Sequence, residues 1–373
     1  MNRKIMNYRL FLMMILMAFT TAAPADTRDR IQIIKPVDQN LNLDTLRFAG
    51  EAKMIYHNED RYEAFTDIIE FKGRFYISFR DGHSHVWEKD GTAQGHTVII
   101  MSEDGENWEK VADMAEPGMD LRDPKLSITP DNRLMVIMGG SKYGNNKVDS
   151  KCFGRLPRVS YSEDGVNFSK PEPISLDRPT GNDWLWRATW HRKKCYGFVK
   201  GDQYSLFKSK DGRKWKRVKD LTKLSEPIDG DETTVRFLKD GTMLMLARTR
   251  DPKAPYRVGN GLWGVSRPPY SHWDIKQIPM GFGGPNFIVV DDRYCIIGTR
   301  WMDRDQHKTV LIKSDLEGNF TPICILPSGG KVGNCSYPGL LIHGDELWVS
   351  YYSQHETTKS AIYLAKIPIS YFE

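Results

Sequence analysis

Three stretches of this chain carry nearly the same turn: Ser102 to Trp108 reads SEDGENW, Ser162 to Phe168 reads SEDGVNF, and Ser209 to Trp215 reads SKDGRKW. In S-x-D-G-x-x-W/F the Asp side chain caps its own backbone and the Gly takes a positive φ. The aromatic residue then folds back over the hairpin. Weaker forms begin at Ser266 (SRPPYSHW) and Ser314 (SDLEGNF), so the spacing runs 60, 47, 57 and 48 residues. Self-similarity at that period, with strand-like sequence between the turns, predicts a β-propeller rather than one open sheet.

A second repeat fixes the number of blades. Six segments pair an apolar run, a tight turn and another apolar run. They start at Phe65 (FTDIIEFKGRFYISFRDG), Asp123 (DPKLSITPDNRLMVIMGG), Trp186 (WRATWHRKKCYGFVKG), Thr233 (TTVRFLKDGTMLMLARTR), Asn286 (NFIVVDDRYCIIGTRW) and Tyr337 (YPGLLIHGDELWVSYYS). Near-continuous apolar runs suit strands covered on both faces, and the turns carry the expected Gly, Asn or Asp. The expectation is an all-β, six-bladed propeller, with these segments as the two inner strands of each blade and the recurrent turn joining the outer two.

Composition narrows the class. The 373 residues are 40% hydrophobic and 27% charged, enough for a large core. The net charge of +5 comes from 53 Lys and Arg against 48 Asp and Glu, with no run of five or six like charges, which argues against a nucleic-acid or membrane-surface partner. Arg3, Lys4 and Arg9 precede an apolar run from Leu10 to Phe19, followed by Ala23-Pro24-Ala25. That pattern reads as a signal peptide over residues 1–25, giving an exported protein, periplasmic or secreted, with no spanning segment and one propeller domain over 26–373. Five cysteines without a C-x-x-C spacing leave at least one thiol free and offer no zinc site. One or two disulfides are compatible with an oxidising compartment.

In an antiparallel hairpin the start of the first strand and the end of the second share one side. Applied six times, that rule gathers Glu63, Asp67, Arg122, Asp123, Arg187, Glu232, Asn286 and Tyr337 with Arg80, Asp81, His83, His85, Lys200, Arg248, Arg300 and Trp301 on one face of the ring. A solvated rim would also be charged. Arginine at the ends of three second strands (Arg80, Arg248, Arg300), with a carboxylate and a tyrosine at strand starts, points instead to a bound carboxylate-like anion. Trp184, Trp186, Trp190 and Trp301 are available to stack on sugar faces.

Here the chain resembles the sialidase (neuraminidase) superfamily over essentially its whole mature length. The repeated turns look like that family's Asp-boxes. DETTVRFLKDGTMLMLAR is similar to the segment in which a Glu opens a strand and an Arg closes its partner, and CSYPGLLIHGDELWVSYY resembles the last-blade segment bearing a nucleophilic tyrosine. The resemblance implies Glu232 and Tyr337 as catalytic pair, with Arg248 and Arg300 on the substrate carboxylate; Arg80, Arg122, Arg187, His83 and Trp301 on the same face are the further candidate substrate-binding residues. It implies a retaining exo-glycosidase that releases a terminal acidic sugar from a glycan, acting as a monomer without cofactor or metal.

The chain departs from the family where a Phe-Arg-Ile-Pro motif would open the first blade, since Glu63-Ala64-Phe65-Thr66 stands there; Arg122 on the next blade is a possible replacement. The general acid is open among Asp81, His83, His85 and His96. Three other readings stand beside this one: a furanosidase suggested by Arg122-Asp123-Pro124, although such enzymes have five blades; a polysaccharide lyase using His83 or His85 with Tyr337; and a glycan-binding propeller without catalysis.

Overall fold

Each apolar hairpin is covered on both faces because it is the inner half of a four-stranded antiparallel sheet, and six such sheets stand around one axis. The computed structural model describes residues 30–33, 46–88, 92, 94–144, 152–222, 229–251, 259–278, 280–303, 306–330 and 334–373. The proposed signal peptide lies outside them. Blade 1 comprises Tyr62–Phe71, Arg74–Gly82, His96–Ser102 and Glu109–Met114; blade 2 comprises Lys125–Ile128, Leu134–Met138, Arg158–Ser162 and Glu172–Pro173. The inner strand of blade 3 comes in two pieces, Asp183–Leu185 and Thr189–His191, followed by Lys194–Gly201, Ser205–Ser209 and Lys214–Asp220. Blade 4 is Asp229–Phe237, Met243–Arg250, Gly261–Ser266 and Asp274–Ile278, with Arg30–Ile33 added in parallel at its outer edge. Blade 5 is Phe282–Val290, Tyr294–Asp303, Gln306–Ser314 and Phe320–Ile325.

Blade 6 closes the ring. Its three inner strands, Cys335–His343, Glu346–Ser353 and Ala361–Pro368, are followed by Glu51–Tyr56 from the other end of the chain as the outermost strand. Inner strands of successive blades pack on one another around the full circle. Six buried apolar clusters fill the six interfaces between neighbouring blades. Closure of this kind leaves only short sheet edges exposed. All five cysteines are free thiols, four of them buried, so no disulfide contributes. Among the described residues no helix is long and apolar enough to cross a membrane.

The recurrent turn does more than join the third and fourth strands. Asp104, Asp164 and Asp211 each accept two following backbone N–H groups through Oδ1 at 2.7–2.9 Å. The preceding serine hydroxyl accepts the Gly N–H at 2.8–2.9 Å. The glycines have φ of 73°, 82° and 76°, and each lies flat on a side chain of the blade before: Gly105 on Trp348, Gly165 on Tyr76, Gly212 on Met135 and Tyr161. Gly318 of the weaker copy that begins at Ser314 lies likewise on Trp263. A side chain at any of these positions would both strain the backbone and collide with the neighbouring blade.

At the axis the inner strands break register in the same place. The pairing shifts between Ala64 and Asp67, Gly230 and Thr233, Gly283 and Asn286, and Ser336 and Gly339, and in blade 3 it is interrupted from Trp186 to Ala188. Phe65, Asp123, Gly284 and Tyr337 sit there at φ between 52° and 65°. A bulge inserts an extra residue and re-aims a side chain, and five bulges or breaks at one level aim Phe65, Trp186, Glu232 and Tyr337 towards one another.

Candidate active site

Tyr337, from the bulge of blade 6, donates its hydroxyl to Glu232 Oε1 at 2.8 Å across the ring. Arg248, at the end of the second strand of blade 4, donates through Nη1 to Glu232 Oε1 at 2.9 Å and to Tyr337 Oη at 3.2 Å. Glu232 Oε2 accepts the backbone N–H of Gly284 at 2.7 Å. Gly284 must be glycine, because at its φ of 58° a Cβ would enter the Tyr337 ring. The guanidinium of Arg300 lies 5.1 Å from the centre of the same ring, and the rings of Phe65 and Trp186 approach it at 4.9 and 5.9 Å.

Burial alone would raise the Glu232 carboxyl, but the charges of Arg248 and Lys200, with the Tyr337 and Gly284 donors, outweigh it and hold the group at about 2. The Tyr337 phenol moves the other way: burial and the adjacent Glu232 charge push it well above its usual value of 10. The resting pair is therefore a neutral phenol hydrogen-bonded to an ionised carboxylate.

Phe65 packs on the Tyr337 ring at the axis, and Arg122 of the next blade reaches over the Phe65 ring at 5.1 Å. Arg122 donates to Tyr143 Oη at 2.7 Å, to Asp123 at 3.3 Å and to His85 Nε2 at 3.3 Å. With Nε2 accepting, the His85 proton lies on Nδ1, facing Tyr62 Oη at 3.2 Å, and Tyr62 in turn donates to Asn334. Burial and then the Arg122 charge hold His85 well below its ordinary range, so it is neutral with both nitrogens engaged. Asp123 is buried on the other side of Arg122. Burial is the main cause of its raised pKa, and the Glu232 charge adds to it. Lys125 supports the floor by donating to the carbonyls of Phe65, Thr66 and Pro124 at 3.2 Å each.

Several residues expected on this face are placed elsewhere. Arg80 is fully buried and uses its guanidinium on Asp120 (2.8 and 3.3 Å), Ser84 O (2.9 Å) and Val86 O (3.4 Å), so it holds a loop rather than a ligand. Arg187 is paired with Asp67 at 2.7 Å in the interior. Trp301 is packed in the core between blades 4 and 5 and offers no face to a sugar. Asp81 is held by Arg61, which also binds Glu88, and the His83 ring bonds Asp60 O at 3.1 Å. His83 lines a separate surface depression with Asp60, Arg61, Glu88 and His96; the His96 ring bonds Asp113 at 2.8 Å. Tyr143 and Asp231 join the site region without having been singled out in the sequence. One signal was available: Asp123, Gly284 and Tyr337 are each followed by proline, a residue confined in sheets to edges, strand starts and bulges. Among the described residues no group of three His, Cys, Asp or Glu side chains is placed to hold a metal ion.

The fold is that of the sialidase-type six-bladed propellers. Solved structures that share it include a Dyadobacter fermentans protein of unknown function (TM-score 0.72, 17% identity, 85% of this chain and 97% of that one). Trypanosoma rangeli sialidase in complex with the inhibitor DANA aligns with a TM-score of 0.63 at 13% identity, over 86% of this chain and 60% of the sialidase. Penicillium chrysogenum α-L-arabinanase complexed with arabinobiose also aligns at 0.63, with 12% identity over 86% and 98% of the two chains. No protein-family model and no curated protein matches the chain. Likeness at this level of identity defines architecture and leaves the substrate to the chemistry of the site.

Proposed function

We propose that this protein is an exported exo-glycosidase that releases a terminal acidic sugar, sialic acid or a related ulosonic acid, with retention of configuration through a tyrosyl-glycosyl intermediate. The observation that carries the reading is the 2.8 Å hydrogen bond from Tyr337 to Glu232 with Arg248 on both groups. A protein that only binds glycans has no use for a buried phenol aligned on a carboxylate base.

The substrate carboxylate sits against Arg248 and Arg300, with Arg122 of the second blade as the third arginine. A carboxylate nucleophile would be repelled by that anion, whereas a neutral phenol is not. In the first step Tyr337 Oη bonds to the anomeric carbon, the bond to the leaving oxygen breaks, and the phenolic proton passes to Glu232. In the second, water attacks the same carbon and gives a proton back to the acid that protonated the leaving oxygen, the tyrosyl bond breaks, and Glu232 returns its proton to Tyr337. Because Arg248 helps depress Glu232, an anion bound to Arg248 offsets that charge and makes the carboxylate a better base when the substrate is present.

The proton for the leaving oxygen is assigned to Asp123. Its carboxyl is raised by burial, while His85 is neutral and engaged at both nitrogens, and Asp81, His83 and His96 are bound to other partners. The same placements weigh against a lyase built on His83 or His85.

The test is a panel of glycosides ending in sialic acid, other ulosonic acids, uronic acids and neutral sugars, with the released sugar identified. A fluorinated acidic sugar that slows the second step should add its mass to the peptide carrying Tyr337. Release of neutral sugars only, or a label on another residue, overturns the proposal.

A further inference from the structure

A cavity of about 250 Å³ opens between blades 3 and 4, next to the Tyr337–Glu232 pair. Asp231, which lines it, directly precedes Glu232 and lies 4.0 Å from Arg248 Nε. Lys200, also in its wall, stands 5.8 Å from the ring of Trp186, which packs on Tyr337. The cavity thus borders the catalytic residues through Asp231 and Lys200.

Its polar groups are not all matched. The Asp231 carboxylate is held by Lys200 and Arg250, and Asp202 accepts from Asn182 at 2.7 Å. Arg155 pairs with no carboxylate among the described residues: its Nη1 donates to Asn182 Oδ1 and its guanidinium lies 5.4 Å from the ring of Trp184. The Arg155 Nε is buried without an acceptor. The Gln203 side-chain amide Nε2 donates to Asp183 and to Arg178 O, while its Oε1, buried, has no donor. Gln203 and Trp184 are 6% and 7% exposed, so these are constructed walls rather than surface side chains. A buried donor on a cation and a buried acceptor left open are costly unless a ligand meets them. Anionic oxygens suit the first and a sugar hydroxyl the second.

We infer that this cavity receives the sugar next to the one released and selects a carboxylate or sulfate on that sugar through Arg155, with Gln203 accepting a hydroxyl. The inference rests on the glycosidase reading of the Tyr337 site. The substrate is then a glycan with two neighbouring negative charges, the first met by Arg248 and Arg300 and the second by Arg155.

The test uses three disaccharides that share the released sugar and its linkage but carry a neutral hexose, a hexuronate or a sulfated hexose as neighbour. Wild-type protein should show at least tenfold higher kcat/KM for the hexuronate or the sulfated compound than for the neutral one, and whichever is preferred identifies the source of the charge. In Arg155→Gln the ratio should fall to near one, chiefly through KM, with the melting temperature measured alongside to show that the variant folds. Equal rates on all three in wild type, or a preference that survives Arg155→Gln, overturns the inference. If no acidic-terminal glycoside is cleaved, the glycosidase reading fails. Titration calorimetry with the same three compounds still decides: charge-dependent binding lost in Arg155→Gln supports the subsite, and indifference to charge refutes it.

Discussion

Replacing Tyr337 by phenylalanine removes one atom from the centre of the site. The loss can be worked through from its neighbours. Glu232 keeps Arg248 at 2.9 Å and the Gly284 N–H at 2.7 Å, so neither carboxylate oxygen is left bare. The ring contacts with Phe65, Trp186 and Arg300 do not involve the hydroxyl. Folding stability should therefore change by only about 1 kcal/mol, the net worth of an ordinary hydrogen bond. Turnover is another matter, because the departing atom is the nucleophile. The barrier should rise by about 4 kcal/mol or more, a thousandfold or greater fall in kcat. The assay is kcat on an aryl glycoside of the acidic sugar, with affinity for a non-hydrolysed acidic sugar measured by calorimetry. A Tyr337→Phe enzyme with near-normal kcat would refute the tyrosyl mechanism, and wild-type protein that binds acidic glycans without turnover would show a lectin-like propeller.

Arg248→Ala leaves the substrate anion uncompensated and should weaken binding by about 2–4 kcal/mol, measured as a higher Kd for the same non-hydrolysed sugar; unchanged affinity would remove Arg248 from the anion site. Gly284→Ala drives a methyl group into the Tyr337 ring and should cut kcat by roughly a hundredfold through misplacement of the phenol, with kcat near wild type counting against the tight approach. Asp123→Asn should slow substrates with poor leaving groups far more than activated aryl glycosides, and equal slowing of both would argue against Asp123 as acid. Glu63 is buried with neither oxygen hydrogen-bonded, His57 Nδ1 standing 3.8 Å away, and burial first and the Asp81 charge second push it up to about 9. Its folded form prefers the proton, so above the unfolded value near 4.5 stability should decline with rising pH until about 9. Glu63→Gln should flatten that decline between pH 5 and 8 in thermal melts.

Much of the architecture was legible because a propeller repeats its local chemistry. The recurrent S-x-D-G turns and the six apolar hairpins are short-range signals, and all six hairpins recur as blades. Closure by Glu51–Tyr56 was not legible, since no local pattern ties it to a partner about three hundred residues later. Within the site, Arg80 and Arg248 look alike in sequence, each ending a second strand. What separates them is Asp120, brought beside Arg80 from the following blade. Trp301 was avoidable: side chains alternate along a strand, so with Arg300 facing Tyr337 its neighbour had to face the core. His83 and His85 followed the second strand into a loop, where spacing carries no directional information.

The glycine contacts between blades bear on how such a ring is completed during synthesis. Gly165 and Gly212 find their partners in a blade already made, but Gly105 must wait for Trp348, and Glu51–Tyr56 must wait for Ala361–Pro368. The first blade is therefore the last to be secured, and blade 6 is the latch. A chain shortened within blade 6 would leave Glu51–Tyr56 without its neighbouring strand and Gly105 without its cover. It would present an open sheet edge to other chains, with aggregation rather than a five-bladed remnant as the outcome.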